Sequence, residues 1–303
     1  MEFGKVRDTR GIDFALPPDD PATAITIAKG KAEGPLRVHV GCPVWQDDAM
    51  ARKLCPPGTP KPKRLACYAK QFNALELNTT GYAINARNIA AWTAEAPPGF
   101  RFCAKVPMDV THGANLDGVW QRFADHCGTA KLFGDRLGFF FLQFPDLFGP
   151  NRFGELERLL DARAGDLPLA VELRHPGWYR DTRLKRKWLD ALEARGVAAV
   201  ITDAPGRRDV LHQRLTTSSA FIRFNGHALG AQDYARLDSW AIRIKQWMET
   251  GLRELYLFTH IDPPDRTVEL SAHFIMALNQ AAGLKLPVPR IRQEEGEELS
   301  LAL

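Results

Sequence analysis

Eight short runs of apolar, β-branched or aromatic residues recur at intervals of about thirty residues, and this spacing constrains the fold more than any other feature. Segments with helical periodicity separate most of the runs; in the clearest, Leu237, Trp240 and Ile244 share one helix face. Strands that alternate with helices lie parallel, and eight such units close into a single (β/α)8 TIM barrel, an α/β fold. The runs are Leu36–Gly41, Ala74–Asn78, Phe100–Val106, Leu137–Phe144, Leu169–Leu173, Val197–Asp203, Ala220–Phe224 and Glu254–Phe258.

The main alternative is a doubly wound open sheet, which would want a glycine-rich phosphate-binding turn after the first strand. The turn here reads Gly-Cys-Pro-Val-Trp over Gly41–Trp45, so we predict one barrel domain over residues 35–282. Residues 1–34, rich in Pro and Asp, are expected to form an extension outside the barrel. Residues 283–303, which contain the acidic stretch Glu294–Glu298, are expected to form a mobile tail.

Composition excludes several classes of protein. Hydrophobic residues make up 45% of the chain and charged residues 25%, as in ordinary globular proteins. No segment approaches the ~18 apolar residues of a membrane helix, and the first thirty residues lack the apolar stretch of a secretory signal. The five scattered cysteines argue against a disulfide framework and favour free thiols and a reducing cytoplasm, the predicted location. A net charge of +4 is compatible with anionic ligands but is much smaller than the positive charge of a nucleic-acid-binding tail.

The alternation of side chains along the strands predicts a polar cluster at one end of the barrel. Neighbouring side chains point to opposite faces, so Phe102 and Ala104 oppose Cys103 and Lys105. In a barrel the more apolar face packs on the helices, and active sites form where the inward face reaches the C-terminal strand ends. We therefore expect the following side chains to converge at one mouth: Glu76, Lys105, Gln143, Glu172, Arg174, Asp203 and Arg223.

Two interpretations of this cluster remain open. Its three acidic and three basic side chains balance in charge, so they are compatible with a structural network of salt bridges. Burying six ions is costly, however, and such clusters are more often functional, which favours a ligand site.

Individual residues in the cluster suggest specific chemistry. Glu172 and Asp203 come from neighbouring strands and are candidates for a general acid and base, with simple pairing to arginine as the alternative. His175, which precedes Pro176, is either a proton shuttle or a loop histidine that bonds to the backbone. Lys105 either binds an anion together with Arg174 and Arg223 or, if its pKa is depressed, forms a Schiff base.

A metal site is the rival interpretation, with Glu172, Asp203, His227 and His260 as candidate ligands. The chain contains no H-x-H or H-E-x-x-H motif, and its cysteines lack C-x-x-C spacing. We therefore predict neither a tightly bound metal nor a cofactor.

Five motifs follow one another between Gly41 and Asp262. They are Phe72–Tyr82 (F-x-x-x-E-x-N-T-T), Trp92–Pro107 (W-x-x-x-x-P-x-G-F-x-F-x-x-K-x-P), Thr111–His112, Leu142–Pro145 (Q-x-P) and Val171–Trp178 (E-x-R-H-x-x-W). Their content and order resemble the YecE-like family, a group of bacterial and archaeal domains of unknown function with a TIM-barrel fold. The resemblance implies the same barrel and no established reaction.

The chain departs from that family's pattern at three strand ends. Residues 223–227 read R-F-N-G-H where the family usually has R-x-H-G, and residues 258–260 read F-T-H where it tends to have F-N-N. The first turn lacks the small residue of G-x-S-x-W. These differences fall at the first, seventh and eighth strands, on one side of the mouth.

We predict an enzyme, a hydrolase or an isomerase or lyase, that acts on an anionic, phosphate-bearing small molecule or nucleotide by general acid/base chemistry. The alternatives are a non-catalytic binding or scaffold barrel and, by fold analogy alone, a metal-dependent nucleic-acid-processing barrel. The predicted proton-transfer residues are Glu172, Asp203 and His175; the predicted ligand-binding residues are Glu76, Asn78, Lys105, Gln143, Arg174 and Arg223.

Overall fold

A computed structural model of the chain describes residues 3–29, 34–114, 116, 118–163 and 166–292. Eight parallel strands form a closed barrel in chain order, and the first strand pairs with the eighth. This confirms the predicted barrel; the doubly wound alternative is wrong, because an open sheet leaves its edge strands unpaired. The strands are β1 (Arg37–Cys42), β2 (Ala74–Leu77), β3 (Arg101–Lys105), β4 (Leu137–Gln143), β5 (Leu169–Glu172), β6 (Ala198–Asp203), β7 (Ser219–Asn225) and β8 (Glu254–His260).

Helices follow most of the strands and surround the barrel. The α-helices of the described residues are α1 (Pro21–Ala28), α2 (Asp48–Leu54), α3 (Arg64–Tyr68), α4 (Ala86–Glu95), α5 (Met108–Thr111), α6 (Val119–Ala130), α7 (Phe153–Asp161), α8 (Gly177–Arg180), α9 (Thr182–Ala194), α10 (Ala231–Thr250) and α11 (Thr267–Ala282). Short 3-10 helices occupy Lys61–Lys63, Asn78–Gly81, Lys131–Arg136, Pro150–Arg152, Arg208–Val210 and Pro264–Arg266. The β6–β7 connection departs from the pattern, because the only helix described there is the 3-10 turn Arg208–Val210.

Helix α10 shows how the periodic pattern produces the packing. Leu237, Trp240 and Ile244 are fully buried in a cluster that includes apolar residues of β7 and β8. Gly251 then ends the helix with a φ of +139°, a conformation that residues with a side chain rarely adopt. A Cβ atom at this position would lie 2.5 Å from the carbonyl oxygen of Ile27, so glycine also allows α1 to approach.

The interior of the barrel is packed with apolar side chains below the mouth. Aromatic rings dominate, and the rings of Phe139 and Phe221 stack with centroids 5.7 Å apart. The polar inward residues therefore lie at the C-terminal ends of the strands, and the apolar interior closes the barrel beneath them. The interior residues are Ala74, Cys103, Phe139, Phe141, Ala170, Ala198, Val200, Phe221, Tyr256 and Phe258.

Both terminal segments pack on the barrel where the structure describes them. In the N-terminal extension, α1 packs against α10 and buries Ile27. Near the other end, the backbone N–H groups of Arg290 and Arg292 donate to Gln71 and Lys53. The acidic stretch Glu294–Glu298 lies outside the described residues, and the domain boundaries 1–34, 35–282 and 283–303 stay predictions.

A disulfide joins Cys55 and Cys67, so the expectation of free thiols is wrong for these two residues. The fold brings their Cα atoms, at the ends of α2 and within α3, to 5.6 Å, a proximity that their separation in the sequence does not reveal. Cys42, Cys103 and Cys127 are buried and are not in disulfides.

Among the described helices, none combines the length and apolar character needed to cross a membrane.

Candidate ligand site at the barrel mouth

Arg223 lies at the centre of a charged network across the mouth. It projects inward from β7, and its side chain is only 7% exposed. Its Nε and one terminal nitrogen donate to the two carboxylate oxygens of Glu76 on β2, each at 2.9 Å. The other terminal nitrogen donates to Glu172 on β5, also at 2.9 Å. Arg223 thus links β2 and β5 across the mouth. Its Nε and both terminal nitrogens donate to carboxylates of the protein.

Glu172 is the acceptor around which the second half of the network is built. Its Oε2 also accepts from the amide of Gln143 at 2.8 Å, and its Oε1 accepts from Nε of Arg174 at 2.9 Å. Burial would raise the pKa of Glu172, but the Arg174 and Arg223 guanidinium groups outweigh it and lower the pKa to about 2. Glu172 is therefore ionised at neutral pH.

Glu76 is held in the same way on the other side of the centre. Asn78 donates to it at 2.9 Å, and Nε2 of His260 lies 3.1 Å from its Oε2. Burial opposes ionisation here too, but Arg223 and His260 keep the pKa of Glu76 well below its usual value. His260 occupies one of the positions where the chain departs from the YecE-like pattern.

Lys105 ends the network at β3. Its Nζ donates to Oε1 of Gln143 at 2.8 Å, and no carboxylate of the described residues lies within ion-pair distance of it. Burial lowers the pKa of Lys105, and repulsion from Arg223 and Arg174 lowers it further. Burial also lowers the pKa of His112, and repulsion from Lys105 and Arg174 lowers it further.

Asp203 does not join this cluster, and the expectation that it faces the mouth is wrong. Its carboxylate lies outside the barrel wall, where it accepts from Arg236 at 2.6 Å, from Trp240 at 2.8 Å and from Arg208. The inward residues of β6 are Ala198 and Val200, so Asp203 has the opposite parity. Both faces of β6 are apolar along most of their length, which removes the contrast on which the assignment depended.

His175 also lies apart from the charged network. Its Nδ1 accepts from the backbone N–H of Gly177 at 2.9 Å, the loop role that was weighed against a proton shuttle. Its catalytic assignment stays a prediction.

The N-terminal extension contributes residues that the strand pattern could not reveal. The ring of Phe3 lies over the guanidinium groups of Arg174 and Arg207, at 4.2 and 4.6 Å from the ring centroid. Lys5 pairs with Asp262 at 3.1 Å. These residues help to enclose a cavity of about 470 Å³, whose lining is Phe3, Gly4, Lys5, Arg174, Arg223, Asn225, Gly226, His260, Ile261, Asp262 and Pro264.

The profile of a family described as "Protein of unknown function DUF72" matches residues 39–293 of this chain. The chain belongs to the DUF72 family. The YecE protein of Escherichia coli K12 is 28% identical over 241 residues, which cover 73% of this chain and 86% of that protein. The YunF protein of Bacillus subtilis 168 is 24% identical over 241 residues, with 75% and 81% covered. The resemblance to the YecE-like family is thereby confirmed.

Solved structures of DUF72 proteins share the fold. A protein from Enterococcus faecalis V583 superposes with a TM-score of 0.60 at 18% identity, over 82% of this chain and 99% of the other. One from Thermotoga maritima MSB8 gives 0.57 at 21% identity, over 81% and 98%. These likenesses support the barrel and carry no reaction.

The donor set of the site bears on the metal alternative. Glu76 and Glu172 use their oxygens to accept from arginine and amide groups. In the part of the chain that the structure describes, no group of three or more His, Cys, Asp and Glu side chains is arranged to hold a metal ion.

Proposed function

We propose that the mouth of this DUF72 barrel binds a small anionic molecule, a phosphate or carboxylate compound. The observation that carries the proposal is the charge of the inner network. Lys105, Arg174 and Arg223 supply three cations, whereas Glu76 and Glu172 supply two carboxylates. A surplus positive charge in a partly buried site is stabilised by a bound anion.

The surplus charge also comes with unused donors. Arg174 binds Glu172 through Nε, and within the described residues its two terminal nitrogens donate to no protein acceptor. Those nitrogens form the forked arrangement that matches phosphate and carboxylate oxygens. Arg174 lines the cavity, whose volume of about 470 Å³ lies in the range of metabolite sites.

The network divides the predicted roles differently from the sequence pattern. Arg223 directs Nε and both terminal nitrogens to Glu76 and Glu172, so we propose that its main role is to position these carboxylates. Because Glu172 is ionised at neutral pH, it suits the role of an anchor for Arg174 better than that of a general acid. The lowered pKa of His112 favours its neutral form, which can accept a proton, and the lowered pKa of Lys105 eases the loss of its proton.

A titration with inorganic phosphate and pyrophosphate at low salt tests the proposal. Arg174→Gln removes the forked donor and should weaken pyrophosphate binding by roughly tenfold or more, as expected for a charge-assisted hydrogen bond. Arg186→Gln removes an exposed arginine of α9 and should leave the affinity unchanged. Calorimetry measures both affinities. Equal weakening by the two variants, or an absence of binding in the unsubstituted protein, would reject the site.

A non-catalytic binding barrel is the second candidate, and the saturation of both carboxylates favours it. In that case the anion binds without any substrate turnover, and Glu172 serves only to hold Arg174. The two candidates share the anion site and differ in whether a reactive group faces it.

A further inference from the structure

Lys105 differs from the other cations of the mouth in what surrounds its charge. Arg223 and Arg174 each pair with a carboxylate, whereas the amine of Lys105 contacts only the neutral amide of Gln143. In its neutral form this amine, after donating to Gln143, keeps one hydrogen and its lone pair for a ligand. A cation that is repelled by two guanidinium groups and has no carboxylate of the described residues within ion-pair distance is poorly suited to a purely structural role.

The backbone and stem of Lys105 are held in place. Thr80 donates to its carbonyl oxygen at 2.8 Å. Its Cδ passes so close to Gly81 that a Cβ there would lie 3.0 Å away. Glycine at residue 81 thus lets the lysine stem cross the 3-10 helix that follows β2. The amine is thereby directed towards the network from the end of β3.

The surroundings also make it easier for the charged amine to lose its proton than for an ordinary lysine. A lysine with an ordinary pKa is only roughly 0.04% unprotonated at pH 7, and each unit of lowering raises that fraction about tenfold. Burial and the two neighbouring guanidinium groups lower the pKa of Lys105. A larger unprotonated fraction makes an amine more available as a nucleophile at neutral pH.

We infer that Lys105 is a nucleophile that forms an imine with a small carbonyl compound whose carboxylate or phosphate is bound by Arg174. This inference rests on the proposed anion site and names its substrate class. The Nζ lone pair forms a bond to the carbonyl carbon, and the carbonyl oxygen takes up a proton while the nitrogen loses one. The resulting hydroxyl group then takes up a second proton and leaves as water while the nitrogen loses its second proton, which leaves a carbon–nitrogen double bond and no net change in oxidation state.

Reductive trapping of the whole protein tests the inference. The protein is incubated with cyanoborohydride and one of three aldehydes: glyoxylate, glycolaldehyde phosphate or uncharged glycolaldehyde. Peptide mapping by mass spectrometry then locates the secondary amine. At pH 7, Lys105 should be modified at least tenfold faster than the exposed Lys131, and at least one of the anionic aldehydes should react faster than glycolaldehyde. The faster of glyoxylate and glycolaldehyde phosphate identifies the anion as carboxylate or phosphate.

Matched variants separate this inference from the anion site beneath it. Lys105→Arg cannot form an imine and should lose the modification, while pyrophosphate binding is measured in the unsubstituted protein. Lys131→Arg should change neither. Modification of Lys105 no faster than that of Lys131 would overturn the inference, and intact pyrophosphate binding in that experiment would leave the anion site standing. Failure of pyrophosphate binding in the unsubstituted protein would reject both.

Discussion

Two buried clusters of charge lie on either side of the barrel wall, and both are built from arginine and carboxylate side chains. Inside, Arg223 joins Glu76 and Glu172; outside, Arg236 joins Asp203 and Asp233 beneath α10. The charges of the outer cluster balance, because Arg208, which pairs with Asp203, supplies a second cation for the two carboxylates. Trp240 also donates to Asp203. The inner cluster has one cation in excess, and Arg174, whose terminal nitrogens are unused within the described residues, lines a cavity.

The difference teaches that burial of ion pairs does not by itself mark a functional site. Removing Glu172 leaves Arg174 without its carboxylate partner, and removing Asp203 does the same to Arg208. Both clusters therefore contribute to stability. Only the inner cluster combines incomplete compensation with access from solvent. Uncompensated charge is therefore the more informative signal.

Loss of one carboxylate from each cluster is the largest test of this comparison. Asp203→Asn should lower the free energy of unfolding by about 3–5 kcal/mol, because Arg208 loses its ionised partner and the buried Arg236 keeps only Asp233. Glu172→Gln should cost less, since Arg223 keeps both oxygens of Glu76 and water screens the charge of Arg174, which is 19% exposed. Urea denaturation measures both losses. Added pyrophosphate should restore more stability to Glu172→Gln than to Asp203→Asn, and an equal response would contradict the distinction.

Acid titration of stability should isolate Glu172 within the inner cluster. Its pKa falls from an ordinary 4.5 to about 2 on folding, so its contribution is fully present above about pH 4.5 and disappears as the pH falls towards 2. That contribution is about 3 kcal/mol. The difference in unfolding free energy between the unsubstituted protein and Glu172→Gln should therefore shrink over this window. A difference that stays constant from pH 6 to pH 3 would show that Glu172 is not ionised by its arginines.

Two phenylalanines of the N-terminal extension offer the smallest and most selective test. Phe3 lies over Arg174 of the inner cluster, and Phe14 lies over Arg236 of the outer one, 5.1 Å from its guanidinium carbon. Replacing either by alanine should cost about 0.5–1 kcal/mol of unfolding free energy. Phe3→Ala should also change the affinity for pyrophosphate, which calorimetry measures. A comparable change in Phe14→Ala would argue against a specific effect at the mouth.

The fold could be predicted because its signals are local and repeated. Each strand run shows its own apolar character, and the bounds of β1 and β7 fall within one residue of the predicted ends. Inward parity was equally readable where the two faces differ, as on β3, where Phe102 faces the helices and Lys105 faces the mouth. On β6 the faces do not differ, and Asp203 was misplaced for that reason.

The rest of the site depends on contacts between distant segments. Neither the proximity of Phe3 to Arg174 nor the contact of His260 with Glu76 leaves a periodic trace in the sequence. The same applies to the disulfide between Cys55 and Cys67. The charge surplus was also hidden, because counting Asp203 among the mouth residues made the acids and bases balance.

The docking of the N-terminal segment has a practical consequence for the study of this protein. Gly4 adopts a φ of +80° and fits against Ala204, where a Cβ would approach to 2.5 Å, and its carbonyl oxygen accepts from Gly206. Phe3, next to Gly4, is therefore held at the rim of the cavity, close to the point where an added N-terminal segment would be attached. A purification tag placed there would compete with added compounds for the same opening, so ligand screens need protein from which such a tag has been cleaved.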